Sequence, residues 1–220
     1  RLNVVKSCID TAVAHIATNR PRPLYQTKGG NFEQRLKAER LGKFMLGQFM
    51  MLKRYVKGLQ IFRDGAIFGP GVEKFYAMHG KVCSERVFPD ELVHDAEEAT
   101  GGSLRQLFQV KDIDKGVLDA AFPGFWKEIE GAKREREIDS GNGVTDPATV
   151  VESWHLPSGP DANDGRHGIA VSEATVVDEE WDRERFPFAF FNWSDPVRGF
   201  FGIGAAEELA PIQIEINYIA

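Results

Sequence analysis

His155, Asp161, Asp164 and His167 form the only cluster in this chain with the flavour of a metal site. Imidazole nitrogens and carboxylate oxygens are the donors that divalent ions take, and a loop folded back between 155 and 167 would gather all four. An ion held there could support metal-dependent hydrolysis of a nucleic acid. Neither the spacing nor the surroundings match a recognised site. The intervening Pro157-Ser-Gly-Pro-Asp-Ala-Asn-Asp-Gly165 is dense in turn formers and reads as a solvated loop, so no metal is expected.

Other chemistry is weaker still. Gly199-x-x-Gly-x-Gly before a helical segment superficially suggests a nucleotide loop, but it is not Gly-x-Gly-x-x-Gly. It also lacks the Lys-Ser/Thr of a phosphate loop and has no βαβ unit around it, so hinge glycines are expected. His15 and His94 fall in apolar or mixed patterns and read as packed side chains. No Ser-His-Asp or Cys-His arrangement has supporting context. Lys127, Lys133, Arg134 and Arg136 could meet DNA phosphates in passing. Glu128, Glu130, Glu135 and Glu137 share their segment, so i,i+4 ion pairs on a solvated helix face are the stronger reading. The chemistry points to a structural protein rather than an enzyme, with no catalytic residue and no cofactor.

Composition agrees. The 220 residues are 42% hydrophobic and 27% charged, enough for one or two domains with a buried core. A net charge of -6 argues against a sequence-reading DNA binder. Cys8 and Cys83 lie far apart and suggest an intracellular chain with two ordinary buried thiols. The apolar run 44–52 is too short to span a bilayer. The chain opens on Arg1 and stops inside a helical pattern, and it reads as a piece of a longer protein.

The elements follow from periodicity and punctuation. Asn3 caps a helix in which Val4, Val5, Cys8, Ile9, Ala12, Val13 and Ile16 recur at helical spacing, and Pro21 and Pro23 force an extended exit. A second helix is predicted from Asn31 to about residue 59, charged early and apolar on most sides later, as suits a core or an intersubunit position. Arg63-Asp-Gly-Ala-Ile-Phe-Gly-Pro-Gly71 reads as its break. Two strands, 72–78 and 81–88, would form a hairpin across His79-Gly80. Helical pieces are predicted at 114–121 and 123–137, the second starting at Pro123, where a missing N–H costs little.

A small β module then follows, with strands at 150–156, 168–177 and 186–193. Pro187 assigns the last to a sheet edge or a strand start, because proline cannot donate to a central ladder. Alternation places Phe186, Phe188 and Phe190 on one face and Phe191 and Trp193 on the other. One face is expected in the core and the other at an intersubunit contact. A β module between helical segments looks like a docking part.

The order of several segments resembles the portal proteins of bacteriophages. They are Asn3-Val-Val-Lys-Ser-Cys-Ile-Asp-Thr with Asn19-Arg-Pro-Arg-Pro, Arg63-Asp-Gly-Ala-Ile-Phe-Gly-Pro-Gly, Arg86-Val-Phe-Pro-Asp-Glu-Leu and Trp154-His-Leu-Pro-Ser-Gly. Phe186-Pro-Phe, Gly199-Phe-Phe-Gly-Ile-Gly and Ile212-Gln-Ile-Glu-Ile-Asn complete the series. The resemblance spreads over most of the chain and rests on structural residues rather than on a catalytic signature.

It implies an α+β, portal-like fold with a wing region at 1–113, a first stem helix region at 114–140 and a β-rich clip at 141–198. The start of a second stem helix would occupy 199–220, with the crown beyond. It also implies a ring homo-oligomer, twelve subunits being typical of the family, at the portal vertex of the capsid in the virion, assembled in the host cytoplasm. Double-stranded DNA would pass through it without sequence specificity during packaging and ejection. The terminase large subunit, the head-completion or adaptor and tail proteins, and the major capsid protein would be its partners, and no membrane would be involved. In this frame the four basic residues are DNA-channel candidates. Phe186, Phe188, Phe190, Phe191 and Trp193 are clip or subunit-interface candidates. A head-tail adaptor is an alternative that the long first half argues against.

Overall fold

A computed structural model of the protein describes residues 3–78, 80–101, 103–134, 146–172, 174–196 and 198–219. In chain order it runs α1 (Val4–Ala17), α2 (Phe32–Met51), α3 (Arg54–Phe68), β1 (Pro70–Met78), β2 (Lys81–Val87), β3 (Leu92–His94), α4 (Ala96–Thr100) and β4 (Gln106–Asp114). Then come α5 (Lys115–Ala121), α6 (Trp126–Gly131), β5 (Pro147–His155), β6 (Arg166–Val171), β7 (Ala174–Glu180), β8 (Phe188–Asn192) and α7 (Ala205–Ile219). The class is α+β, as expected, with two antiparallel sheets ordered β2-β1-β8 and β3-β4-β5-β6-β7. No helix among the described residues is long and apolar enough to cross a membrane. The chain divides into two compact units. One comprises Arg1–Pro89, Pro187–Val197 and Phe201–Ala220, and the other Asp90–Phe186 and Arg198–Phe200.

In the first unit Cys8 of α1 is exposed and Cys83 of β2 only half-buried, so neither thiol is buried as expected, but α1 begins as its sequence requires. The Asn3 side chain accepts from the Lys6 amide at 2.8 Å, and Gln213 of α7 accepts from the amides of Val4 and Val5. Three otherwise orphaned N–H groups of the first turn are thereby satisfied. Asn31 and Gln34 close a capping box at the start of α2. The long second helix, however, is two helices. Lys53 sits in the left-handed region at φ 52 and separates α2 from α3. The predicted break at 63–71 is instead the last part of α3, which runs to Phe68 and ends at Gly69. Asp64-Gly65 reads locally as a turn, but both residues are buried inside the helix and are held there by β2 and β8.

The β1–β2 hairpin forms as predicted, in register from Val72↔Val87 to Met78↔Lys81. Gly80 supplies the positive φ of its turn, and His79 lies outside the described residues. Strand β8 joins the other side of β1, pairing from Pro70↔Asn192 to Lys74↔Phe188. It is an edge strand among the described residues, and Pro187 stands just ahead of it, its carbonyl accepting from the Phe75 amide at 2.7 Å. The run 187–196 therefore does not belong to the β module with which the sequence groups it.

In the second unit the five-stranded sheet packs one face against short helices. Leu118 of α5, Ile129 of α6 and Ala132 meet Ala148 and Val150 of β5 and Val171 of β6. That packing corrects the predicted helix at 123–137. Pro123 starts a single 3-10 turn, α6 ends at Gly131, and Ala132 turns extended at ψ 146 as it enters the core. The Lys133 carbonyl then accepts from the Thr149 amide. Residues 135–145 lie outside the described residues, so the remainder of the expected stem helix region does too. The predicted strand 168–177 is two strands, β6 and β7, folded back at Ser172, whose φ is 54. Strand β4, which the sequence reading leaves without an element, is an interior strand, with β3 on one side and the central β5 on the other.

Candidate functional site

Sheet geometry decides the fate of the four potential metal ligands. Trp154 pairs with His167 and His155 with Arg166 across β5 and β6. Adjacent residues of a strand point to opposite faces, so His155 and His167 lie on opposite faces of one sheet. His155 Nε2 meets Arg105 Nη2 at 3.2 Å. Asp164 accepts from the Ser158 amide at 2.8 Å, and that bond, with Arg105 at 3.5 Å, holds its carboxyl below its ordinary pKa. Asp161 sits in the turn between the strands. No group of three or more His, Cys, Asp or Glu among the described residues is placed to hold a metal ion.

His167 instead belongs to a cluster that the sequence reading did not find. Its Nδ1 lies 2.7 Å from Glu179 Oε1 on β7, and its Nε2 lies 2.9 Å from Glu152 Oε1 on β5. Its ring stacks on Trp154 at 5.3 Å and meets Trp181 at 5.8 Å. On the same face Gln109 of β4 stands opposite Glu152 and donates to Glu91 at 2.8 Å. Burial works against a charged imidazole here, but the two carboxylates outweigh it and the His167 pKa is raised above its ordinary value. The one local signal was Glu152 and Trp154 at i, i+2 in a strand. Glu179 could join them only once the β6–β7 hairpin was known.

The basic candidates separate by environment. Lys127 is exposed on α6, its ammonium 5.5 Å from the Trp126 ring centre. Lys133 is also exposed. Arg134 is committed to an ion pair, its Nε 2.8 Å from Asp112 Oδ2, while Asp112 Oδ1 accepts from Thr149 Oγ1. Arg136 lies outside the described residues. Of the three that are described, Lys127 and Lys133 stay open to an anion.

The aromatic candidates divide as alternation demands, with one exception. Phe188 and Phe190 share a face of β8, ring centres 6.0 Å apart. Phe191 and Trp193 turn the other way onto Phe62 of α3, at 5.2 and 5.8 Å. Phe186 precedes Pro187, is not part of β8 and falls in the second unit. Phe191 is only partly covered and lines an apolar cavity of about 280 Å³ with Phe49, Tyr55, Leu59, Ile61 and Phe62. Nearby α2 buries none of its residues, although Phe44, Met50 and Met51 are apolar and well exposed.

Beneath this surface the glycine-rich segments meet. Gly69, at φ 99, leaves no room for a Cβ because the Gly202 carbonyl lies against it, and a Cβ at Gly204 would come within 2.8 Å of the Gly69 nitrogen. Gly202 and Gly204 are therefore close-approach residues at the junction of α3 and β1. The hinge reading of these glycines missed a packing demand that no local pattern displays. Arg86 of β2 grips Asp64 of α3 through both carboxylate oxygens and lies over the Phe88 ring at 4.4 Å. This pairing holds the Arg86 guanidinium above its ordinary pKa, against the pull of burial.

No family model matches the chain, and no curated protein matches it.

Proposed function

We propose that the chain is part of a bacteriophage portal protein, a ring at the capsid vertex through which double-stranded DNA is packaged and ejected. The observation that carries this reading is a convergence. The segments Arg63-Asp-Gly-Ala-Ile-Phe-Gly-Pro-Gly, Arg86-Val-Phe and the glycines at 202 and 204 are far apart in sequence, yet they contact one another in one unit. Asp64 meets Arg86, and Gly69 meets Gly202. The resemblance rests on these segments in order along the chain, and their mutual packing gives each a structural reason to be there.

Three further features support a ring of identical subunits. The outer edge of β8 has no strand partner among the described residues and offers backbone groups to a neighbouring chain. Phe191 stands half open in an apolar cavity. Helix α2 presents Phe44, Met50 and Met51 without burying a residue, which suits a helix covered by another subunit. An acidic balance suits a conduit as well, because dense phosphate contacts would hold DNA in place rather than let it slide. On this reading the terminase large subunit, and later the head-completion and tail proteins, dock on the β-rich part.

The test is the mass and symmetry of the full-length protein, by native mass spectrometry with negative-stain imaging. A closed ring with a central hole is the expected result. A monomer or dimer that persists at high concentration overturns the reading.

A further inference from the structure

His167 has carboxylate oxygens against both ring nitrogens. A neutral imidazole carries one N–H and one lone pair, so it can donate to only one of them. Both bonds exist together when the ring carries both protons. The two acceptors differ in their access to water. Glu152 and the imidazole are largely covered, with side chains 15% and 12% exposed, whereas the Glu179 side chain is 60% exposed. Glu179 can exchange its bond to His167 for water, and Glu152 can do so only at a large desolvation cost. Strand β7, which carries Glu179, is the outermost strand of its sheet and pairs only with β6 among the described residues.

We infer that His167 is a proton-controlled latch on the sheet edge: doubly protonated, it ties β7 to β6 and β5 through Glu179 and Glu152, and on losing a proton it keeps Glu152 and releases Glu179. The groups around it agree. Strand β5 contributes Glu152 and the neutral Trp154, and β7 contributes Glu179. Trp181 closes the side after β7, with Arg183 beyond it, 4.9 Å from the Trp181 ring centre. From β4 come Gln109, which is tied to Glu91, and Lys111 further along the same face, opposite Val150. Two carboxylates at hydrogen-bond distance govern the ring, and the cations stand outside that shell. The sign follows: the latch is closed at lower pH and opens as pH rises. This inference does not depend on the portal reading, because it concerns the second unit alone.

The experiment is a pH titration of the full chain, following the His167 ring protons by NMR and the amide-exchange protection of β7. Protection is expressed relative to β5, so that the intrinsic pH dependence of exchange cancels. The expected His167 midpoint lies above the ordinary imidazole value of about 6.5, with β7 protection falling several-fold through the same midpoint while β5 holds. Glu179→Gln changes a mostly exposed side chain and should leave the fold intact. It should lower the midpoint, because one of the two carboxylates is gone, and remove the pH step in β7 protection. A wild-type midpoint at or below about 6.5 overturns the inference. So does a β7 step that survives unchanged in E179Q.

Discussion

Asp64 on α3 and Arg86 on β2 form a two-pronged ion pair, one guanidinium nitrogen on each carboxylate oxygen, with the aspartate only 1% exposed. A carboxylate so far from water is tolerable because the fork geometry of arginine meets both oxygens at once. The pair also explains why Asp64-Gly65 stays helical despite reading as a turn. Removing one partner leaves a charge without its counterpart, and that costs more than the pair contributes. Asp64→Ala is expected to destabilise the first unit by about 3–5 kcal/mol in urea denaturation. The double replacement Asp64→Leu with Arg86→Met should recover most of that loss. A single replacement costing under about 1 kcal/mol would mean the pair is solvated after all.

Gly65 makes a second, steric claim on the same helix. A Cβ there would come within 2.6 Å of the Phe191 ring. Gly65→Ala should therefore cost about 1–3 kcal/mol through overpacking, although alanine is the better helix former. Combining it with Phe191→Leu should give less than the sum of the single effects, because the smaller side chain makes the room. Strict additivity in that double-mutant cycle would show that the ring does not set the limit.

Phe188 and Phe190 test the interface assignment. Each is half-buried and packs against the other on one face of β8. Their replacement by alanine should cost about 1–2 kcal/mol each, less than the 3–5 kcal/mol typical of a fully buried phenylalanine. If this face is a subunit contact, ring formation should fall further than that loss of stability explains. Native mass spectrometry beside thermal denaturation separates the two effects, and proportional losses would remove Phe188 and Phe190 from the interface.

Much of the first unit was legible because its signals are local. Asn3 and Asn31 are caps, Gly80 closes a hairpin, and Pro187 keeps its strand at an edge. What was not legible depends on partners distant in sequence. Lys53 breaks a helix without glycine or proline to announce it, and Ser172 turns a chain that reads as one β-branched strand. Ala132 leaves its helix because the core of the second unit takes it in. The same holds for the sites. Strand alternation could sort Phe188 and Phe190 from Phe191 and Trp193, but it could not place Phe186 in the other unit. Nor could it reveal that His167 faces Glu152 and Glu179 rather than His155, because register is a tertiary property.

The basic residues give a prediction about DNA. Lys127→Gln with Lys133→Gln removes two exposed charges that hold no ion pair among those described, and stability should change by less than about 0.5 kcal/mol. Arg134→Gln breaks the bond to Asp112 and should destabilise the second unit while affecting DNA little. If the lysines meet phosphate in passing, the double variant should reduce the salt dependence of DNA association by up to about two counterions. An unchanged salt slope would return both lysines to the solvated surface.

The pH dependence of global stability carries its own sign. The His167 pKa is raised in the folded chain, because the carboxylates of Glu152 and Glu179 outweigh burial. A group with a raised folded pKa binds its proton more tightly when folded. Its contribution is therefore fully present below the unfolded imidazole value of about 6.5 and is lost as pH climbs through the raised value. Stability measured by urea denaturation should fall across that window in the wild type. His167→Gln retains a donor but no titrating group, so it should start lower and lose the slope. A wild-type stability that rises with pH over the same range would mean that burial, rather than the two glutamates, controls the ring.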